Sequence, residues 1–313
     1  MEYLFSGAVG VVMLLGAVNF NSFATEPPVQ QAECGRIERM LMYSPQMGDT
    51  LTIDTWLPPV YDLEPAGRYP VIYMHDGQNL YDASTTWNHQ SWEMDSVMCS
   101  LIETHQIEPA IIVGVHSSPS TRVADLMPQK AVAGHPLEAT LEMVKLKGLD
   151  MRGDAYAAFM TETLKPEVDL RYRTLADQAH TSVAGSSMGG LMSIYALCEY
   201  PEVFGNALCL STHWIGTPAV AKEFEDAMYE YLDRKLPSPA DHRLYFDHGT
   251  ETIDAYYGPA EERILRLVKS KGYSYGDGTL LNIVDSGAPH EEQAWAARVA
   301  VPLRFLLNGM KQR

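Results

Sequence analysis

The segment Gly185-Ser186-Ser187-Met188-Gly189-Gly190 places a serine hydroxyl between glycines two positions before and two after it, the spacing Gly-x-Ser-x-Gly. It lies between a strand-like run, TSVA, and a helical run, LMSIYALCEY. A serine held at a sharp strand-to-helix turn has a strained backbone, and the flanking glycines leave room for that turn, so the hydroxyl stands exposed as a nucleophile. The same turn sets the Met188 backbone N–H and the start of the helix beside a developing oxyanion, which their partial positive charge stabilises. The chemistry such a group performs is acyl transfer at an ester carbonyl. The bland alternative is a turn that only caps a helix, with Ser186 or Ser187 as N-cap. The strand before and the amphipathic helix after favour Ser187 as nucleophile and leave Ser186 as a decoy.

A serine hydroxyl is a weak nucleophile until an imidazole takes its proton. The chain has ten histidines. Where such a turn is catalytic, the acid and then the histidine follow it in the chain, which leaves His213, His242, His248 and His290. His290 follows the last strand-like run, TLLNIVD, in the loop SGAPHEEQAW, and a helical run begins just after it. It is the candidate base. His213, in STHW, fits a pocket wall, and surface or core roles suffice for His242 and His248. The acid is expected after the strand RLYFDH, in HGTETIDAYYGP, where a carboxylate reaches the far ring nitrogen and sets its tautomer. Asp254 is preferred, Glu251 in the same loop is its rival, and Asp247 at the strand end is a third candidate. The competing use of these carboxylates is as a helix N-cap or first-turn charge.

An oxyanion needs a second N–H, from the loop after the third strand. There the sequence runs YPVIYMHDGQNLYD, an apolar strand entering His75-Asp76-Gly77-Gln78-Asn79. Gly77 permits close backbone approach, and the Gln78 N–H is the candidate donor. An ordinary polar turn is the alternative, and the pairing with the Ser187 turn favours the functional reading.

The elements that must position these groups follow from the hydrophobic pattern. Residues 35–44 and 49–57 alternate like antiparallel strands at one sheet edge. From residue 69 the pattern changes to short continuous apolar runs, YPVIYMH, AIIVGVH, TSVAG, NALCLS, RLYFDH and TLLNIVD, as parallel strands covered on both faces require. Helical patterns fall between them, at about 92–104, 153–165, 188–200, 219–234, 257–271 and 291–308. Alternating strands and helices predict one doubly wound α/β domain over residues 35–313, with ligands at the carboxyl ends of the strands. Residues 117–152 interrupt the rhythm and form a candidate lid insertion.

The 313 residues, 46% of them hydrophobic, can build a substantial core. A formal charge of −17 disfavours nucleic acid and anionic membrane surfaces as partners. Residues 4–20 are uncharged and apolar and lead into Ser22-Phe23-Ala24, so residues 1–24 read as an export signal, although Glu2 replaces the usual positive charge. A retained membrane anchor is the alternative; after signal cleavage no stable membrane association is expected, and the protein would be periplasmic or secreted. Residues 25–34, TEPPVQQAEC, read as a mobile lead-in. Cys34, Cys99, Cys198 and Cys209 have no metal-ligand spacing. After export one disulfide is open to them, while Cys198 and Cys209 fit buried thiols. No metal or organic cofactor is expected.

The pieces VIYMHDGQNLYD, TRVADLMP, ETLKPEVDLRYRT, AGSSMGGLMSIYALCEYPEVFG, YFDHGTETIDAYY and GAPHEEQAWAAR together resemble an esterase family of α/β-hydrolases. That family includes enterochelin esterase-like, feruloyl esterase-like and S-formylglutathione hydrolase-like enzymes. The resemblance runs from about residue 69 to near the end of the chain. It implies the α/β-hydrolase fold, Ser187 and His290 as catalytic residues, and the backbone N–H groups of Gln78 and Met188 as the oxyanion hole. It also implies an acid in the HGTETID loop. Members often carry that carboxylate three residues after the loop's glycine, where this chain has Thr252, so Asp254 and Glu251 both stay open; some similar members rely mainly on the Ser/His pair.

The reading is a serine carboxylic-ester hydrolase acting on a small or carbohydrate-linked ester through an acyl-enzyme. Trp87, Trp92, His116, His213, Trp214 and Tyr257 are candidates to line its pocket. Two alternatives stand beside it: an acyltransferase of the same family, with an acceptor other than water, and a catalytically silent binding protein on the same scaffold. An intact Ser, His and acid set argues against the second. The net negative charge favours a neutral or carbohydrate-linked ester over a highly anionic one.

Overall fold

The computed structural model describes residues 29–135, 150–216 and 222–308. The apolar leader, the first four residues of the lead-in and residues 136–149 of the insertion lie outside the described residues.

Eight strands form one sheet: β1 Arg36–Ser44, β2 Asp49–Leu57, β3 Val71–His75, β4 Ile111–Val115, β5 Thr181–Ser186, β6 Asn206–Leu210, β7 Arg243–Gly249 and β8 Leu280–Asp285. Their spatial order is β1-β2-β4-β3-β5-β6-β7-β8. The first hairpin and the β2–β4 pair are antiparallel, and the remaining pairs are parallel. This is the α/β-hydrolase arrangement in a single domain, and the alternating residues 36–57 form its antiparallel edge as their period predicts. The chain steps from β3 out to β4, then returns to place β5 on the other side of β3. That reversal opens a crevice at the carboxyl ends of the strands, where such sheets bind ligands.

The continuous apolar runs are explained by two cores, one on each face. Along β3, Val71 and Tyr73 enter one cluster while Ile72 and Met74 enter the other, and all four are 2% exposed or less. Strand side chains point alternately to opposite faces, so a strand covered on both sides must be apolar at every position. The Met94–Glu103 helix (α1) and the paired helices Glu292–Arg298 and Ala300–Leu307 cover one face. The helices beginning at Gly153, Met188, Lys222 and Gly258 cover the other.

Two expected helices differ in detail. The run at 291–308 breaks at Val299, because Pro302 has no N–H to give the Arg298 carbonyl. The run from Gly153 passes through a π-helical stretch, Phe159–Leu164, and continues to Arg171. Within the insertion, the described residues form two one-turn helices, Arg122–Asp125 and Gln129–Val132.

The described part of the lead-in is tied down. Cys34 forms a disulfide with Cys99 of α1, and Gln30 is buried. Cys198 and Cys209 are buried free thiols, and burial pushes both well above the usual thiol range.

Candidate active site

Ser187 sits between the end of β5 and the first residue of the Met188–Glu199 helix, at φ 58° and ψ −121°. A non-glycine residue there stores about 1–3 kcal/mol of backbone strain, which the surroundings must hold. They do so through β6 and the residues beyond it: the Ser187 N–H donates to the Leu210 carbonyl (3.0 Å), and the His213 N–H donates to the Ser187 carbonyl (3.2 Å). The glycine spacing has a direct steric cause. A Cβ on Gly185 would lie 2.9 Å from the Gly189 carbonyl carbon, and one on Gly189 would lie 3.2 Å from His75 Cβ. Met188, as first residue of its helix, presents an N–H with no partner within the helix.

After β7 the chain forms a short 3₁₀ turn, Thr252–Tyr256, that carries Asp254. Asp254 Oδ1 accepts from His290 Nδ1 at 2.5 Å, and its other oxygen accepts from Ser211 Oγ and the Gly249 N–H, both at 2.6 Å. Burial pushes this carboxyl up, but the hydrogen bond and charge of His290, with the Ser211 and Gly249 donors, outweigh burial and hold it below the ordinary carboxylate range. Thr252, at φ 55°, accepts the His290 backbone N–H on its hydroxyl at 2.9 Å. That bond anchors the histidine loop.

The rival carboxylates are placed away from the His290 ring. Glu251 is exposed, and its N–H donates to the Ala288 carbonyl. Asp247 is fully buried and accepts from Arg298 Nη2 (3.0 Å), the Ser211 N–H (3.0 Å) and the Tyr245 hydroxyl (2.7 Å).

The His290 ring is clamped edge to face between Trp295 and Tyr257, with centroids 5.0 and 5.7 Å away. The Tyr257 hydroxyl bonds His213 Nδ1 at 2.7 Å. Burial lowers the His213 ring to about 4, so it is neutral at pH 7.

After β3 the chain turns at Asp76, φ 56°, into Gly77–Asn79. A Cβ on Gly77 would lie 2.4 Å from the Gly114 carbonyl carbon, so only glycine lets this loop lie on β4. The Gln78 side chain donates to Ser117 Oγ and accepts the Ser117 N–H, at 3.1 and 3.0 Å. Asp76 takes a bidentate pair from Arg122, both bonds 2.7 Å. The insertion is thereby pinned to the loop that carries Gln78.

These groups converge on one cavity of about 750 Å³, whose walls include Gln78, Ser186, Ser187 and His290. Trp87, Trp92 and Trp295 supply its aromatic surface, and Gln78, Asn79, Asn88 and Gln90 its amides. Glu292, nearly buried, accepts from Asn79 (3.1 Å) and Asn88 (2.7 Å) and holds that wall together. Among the expected wall residues, Trp87 and Trp92 line the cavity. His116 instead pairs with Asp54 at 2.9 Å, and Trp214 lies in the core. His213 and Tyr257 sit behind Ser187 and His290.

Several participants carried no sequence signal of their own. Ser211 Oγ, which donates to Asp254, accepts from Trp295 Nε1 (3.0 Å) and Arg298 Nη2 (2.7 Å). Trp295 and Arg298 are three apart on one helix and so share a face. That spacing in QAWAAR was readable, but its target was not.

The fold is that of the α/β-hydrolases, and the chain's sequence places it among their carboxylic-ester hydrolases. The family model described as "Putative esterase" matches residues 44–255, and the chain belongs to that family. A curated relative, "Uncharacterized protein YbbA" of Bacillus subtilis (strain 168), is 20% identical over 257 residues, covering 80% of this chain and 90% of the relative. Among solved structures, a ferulic acid esterase superposes with a TM-score of 0.63 at 15% identity, covering 87% of this chain and 98% of its own. The enterobactin esterase from Shigella flexneri, in the presence of enterobactin, superposes with a TM-score of 0.65 at 19% identity, covering 88% and 60%.

Proposed function

We propose that this chain hydrolyses carboxylic esters by a serine acyl-enzyme mechanism with Ser187 as nucleophile, His290 as general base and Asp254 as its acid partner. The observation that carries the reading is the 2.5 Å bond from His290 Nδ1 to a buried Asp254, on a ring that shares its cavity with a strained, half-buried serine. With Nδ1 committed to Asp254, His290 Nε2 is the basic nitrogen. It takes the Ser187 proton as Oγ attacks the ester carbonyl, and the N–H groups of Gln78 and Met188 receive the oxyanion. Collapse returns that proton to the departing alcohol. Water then attacks the acyl-enzyme, His290 takes its proton and hands it to Ser187, and the carboxylic acid leaves.

The three tryptophans beside four side-chain amides, Gln78, Asn79, Asn88 and Gln90, favour an ester carrying a ring, such as a phenolic acyl group or a sugar, because rings stack on indoles while amides bond hydroxyls. Export is supported by the Cys34–Cys99 disulfide, which persists in oxidising compartments. The test is hydrolysis of p-nitrophenyl acetate, longer acyl esters, methyl ferulate and acetylated xylan by wild type, Ser187→Ala and Ser186→Ala. Turnover lost only in Ser187→Ala supports the reading. Folded wild-type protein that hydrolyses none of these, and whose Ser187 escapes a fluorophosphonate probe, overturns it.

A further inference from the structure

Residues 29–34 lie ahead of the family-matched region, yet they hold a buried glutamine against the turn that carries Gln78. Gln30 is 2% exposed, and both ends of its amide are bonded. Nε2 donates to the Gly77 carbonyl at 2.8 Å and to Asp54 Oδ2 at 2.9 Å. Oε1 accepts the backbone N–H of Tyr81 at 3.1 Å and of Asp82 at 3.4 Å. Asp54 is itself fixed by two 2.6 Å bonds from Arg39 and a 2.9 Å bond with His116 Nε2, so the donor end of Gln30 has one orientation.

The Gly77 carbonyl and the Gln78 N–H belong to a single peptide plane. In a trans peptide they point in opposite directions, so whatever anchors the carbonyl aims the N–H. Gln30 is not part of the cavity wall, whereas Gln78 is. A donor on the carbonyl also polarises the peptide and strengthens its N–H as a donor. On the other side the loop is wedged against the Gly114 backbone, which leaves this peptide little freedom except rotation about its own axis. The Gln30 bond removes that freedom.

We propose that Gln30 is a positioning residue for ester hydrolysis: its hydrogen bond to the Gly77 carbonyl aims the Gln78 N–H at the oxyanion. The inference rests on the serine-esterase mechanism proposed above and adds to it a control point in the N-terminal strap. A residue that only satisfied buried polar groups would affect stability. A residue that aims an oxyanion donor affects the transition state more than the bound ester.

The experiment compares full-length wild type, Gln30→Met and Gln30→Glu with p-nitrophenyl acetate and with a trifluoromethyl ketone, whose hemiketal oxyanion mimics the tetrahedral intermediate. Gln30→Glu keeps an acceptor for the Tyr81 and Asp82 amides while removing the amide donor; paired with Asp54→Asn, which removes the carboxylate that the new glutamate would otherwise meet, it keeps the strap if Gln30→Met unfolds it. The expected result is a kcat about 10- to 100-fold lower with KM nearly unchanged, and an inhibitor constant weakened by a similar factor. A folded variant that keeps wild-type kcat and inhibitor affinity while wild type is active overturns the inference alone. A wild type inert toward esters and unlabelled by fluorophosphonate overturns the mechanism and this inference together.

Discussion

Asp254 and His290 are joined by a 2.5 Å hydrogen bond although 36 residues of chain separate them, and the carboxylate's second oxygen is held by Ser211 Oγ and the Gly249 N–H. Both oxygens are therefore fixed, and the imidazole has one available tautomer while Asp254 stays ionised. Asp254→Asn should keep the fold and lower kcat about 10⁴-fold, because an amide N–H facing Nδ1 favours the wrong tautomer. Glu251→Gln should leave kcat within about 2-fold, since this exposed side chain makes no contact with the ring. Steady-state hydrolysis of p-nitrophenyl acetate decides it: equal losses in the two variants would reject Asp254 as the partner of His290.

Stability should fall in mild acid before the surface carboxylates titrate. Burial lowers both His75 and His213 to about 4 from 6.5. The unfolded chain therefore binds protons between pH 6.5 and 4 that the folded chain refuses, and stability drops as pH falls through that window. Each ring accounts for up to about 3 kcal/mol by pH 4, at 1.36 kcal/mol per pH unit. Urea midpoints of Glu261→Gln, which lacks the opposing titration of that buried carboxyl, measured from pH 7 to 5 check this, and a flat profile would contradict it.

Glu261 works in the opposite sense. Burial, then the neighbouring Asp247 charge, raises its carboxyl to about 8. Protonated when folded and ionised when unfolded, it withdraws stability as pH rises from 4.5 toward 8. Glu261→Gln keeps an acceptor for Asn282 Nδ2, bonded at 2.7 Å, and carries no charge. It should raise stability by a few kcal/mol at pH 8, on the order set by linkage, and change little below pH 5. Denaturation curves of the two proteins at pH 5 and pH 8 test it; a gain independent of pH would point to packing instead.

The Cys34–Cys99 bond closes 65 residues of chain. Loop-closure entropy sets its contribution at about 4 kcal/mol. A Cys34→Ser, Cys99→Ser variant should show a urea midpoint lowered in proportion, equal to that of reduced wild type. Equal midpoints with and without reductant would show that the strap is held by its hydrogen bonds alone.

Much of the fold was legible in the chain because its signals are local. Continuous apolar runs marked β3 to β8, and alternation marked the antiparallel edge. The Gly-x-Ser-x-Gly turn was equally readable, since the motif spans five residues and a Cβ at Gly185 would lie 2.9 Å from the Gly189 backbone within it. The HGTETID loop was legible as the place for a carboxylate facing His290, with Asp254 preferred, but the chain alone did not dismiss Glu251.

What only the tertiary structure decided is which distant groups share a hydrogen bond. Asp247, Glu251 and Asp254 look alike along the chain. They differ because Arg298 claims the first, solvent surrounds the second, and His290 faces the third. Thr252 took up the histidine loop instead of donating a carboxylate to it. Gln30, read as part of a mobile lead-in, meets the Gly77 carbonyl 47 residues away. A period of 2 or 3.6 residues reports which face a side chain occupies. It carries no information about what arrives from elsewhere to meet that face, and that is where the partners of Ser187 and His290 were decided.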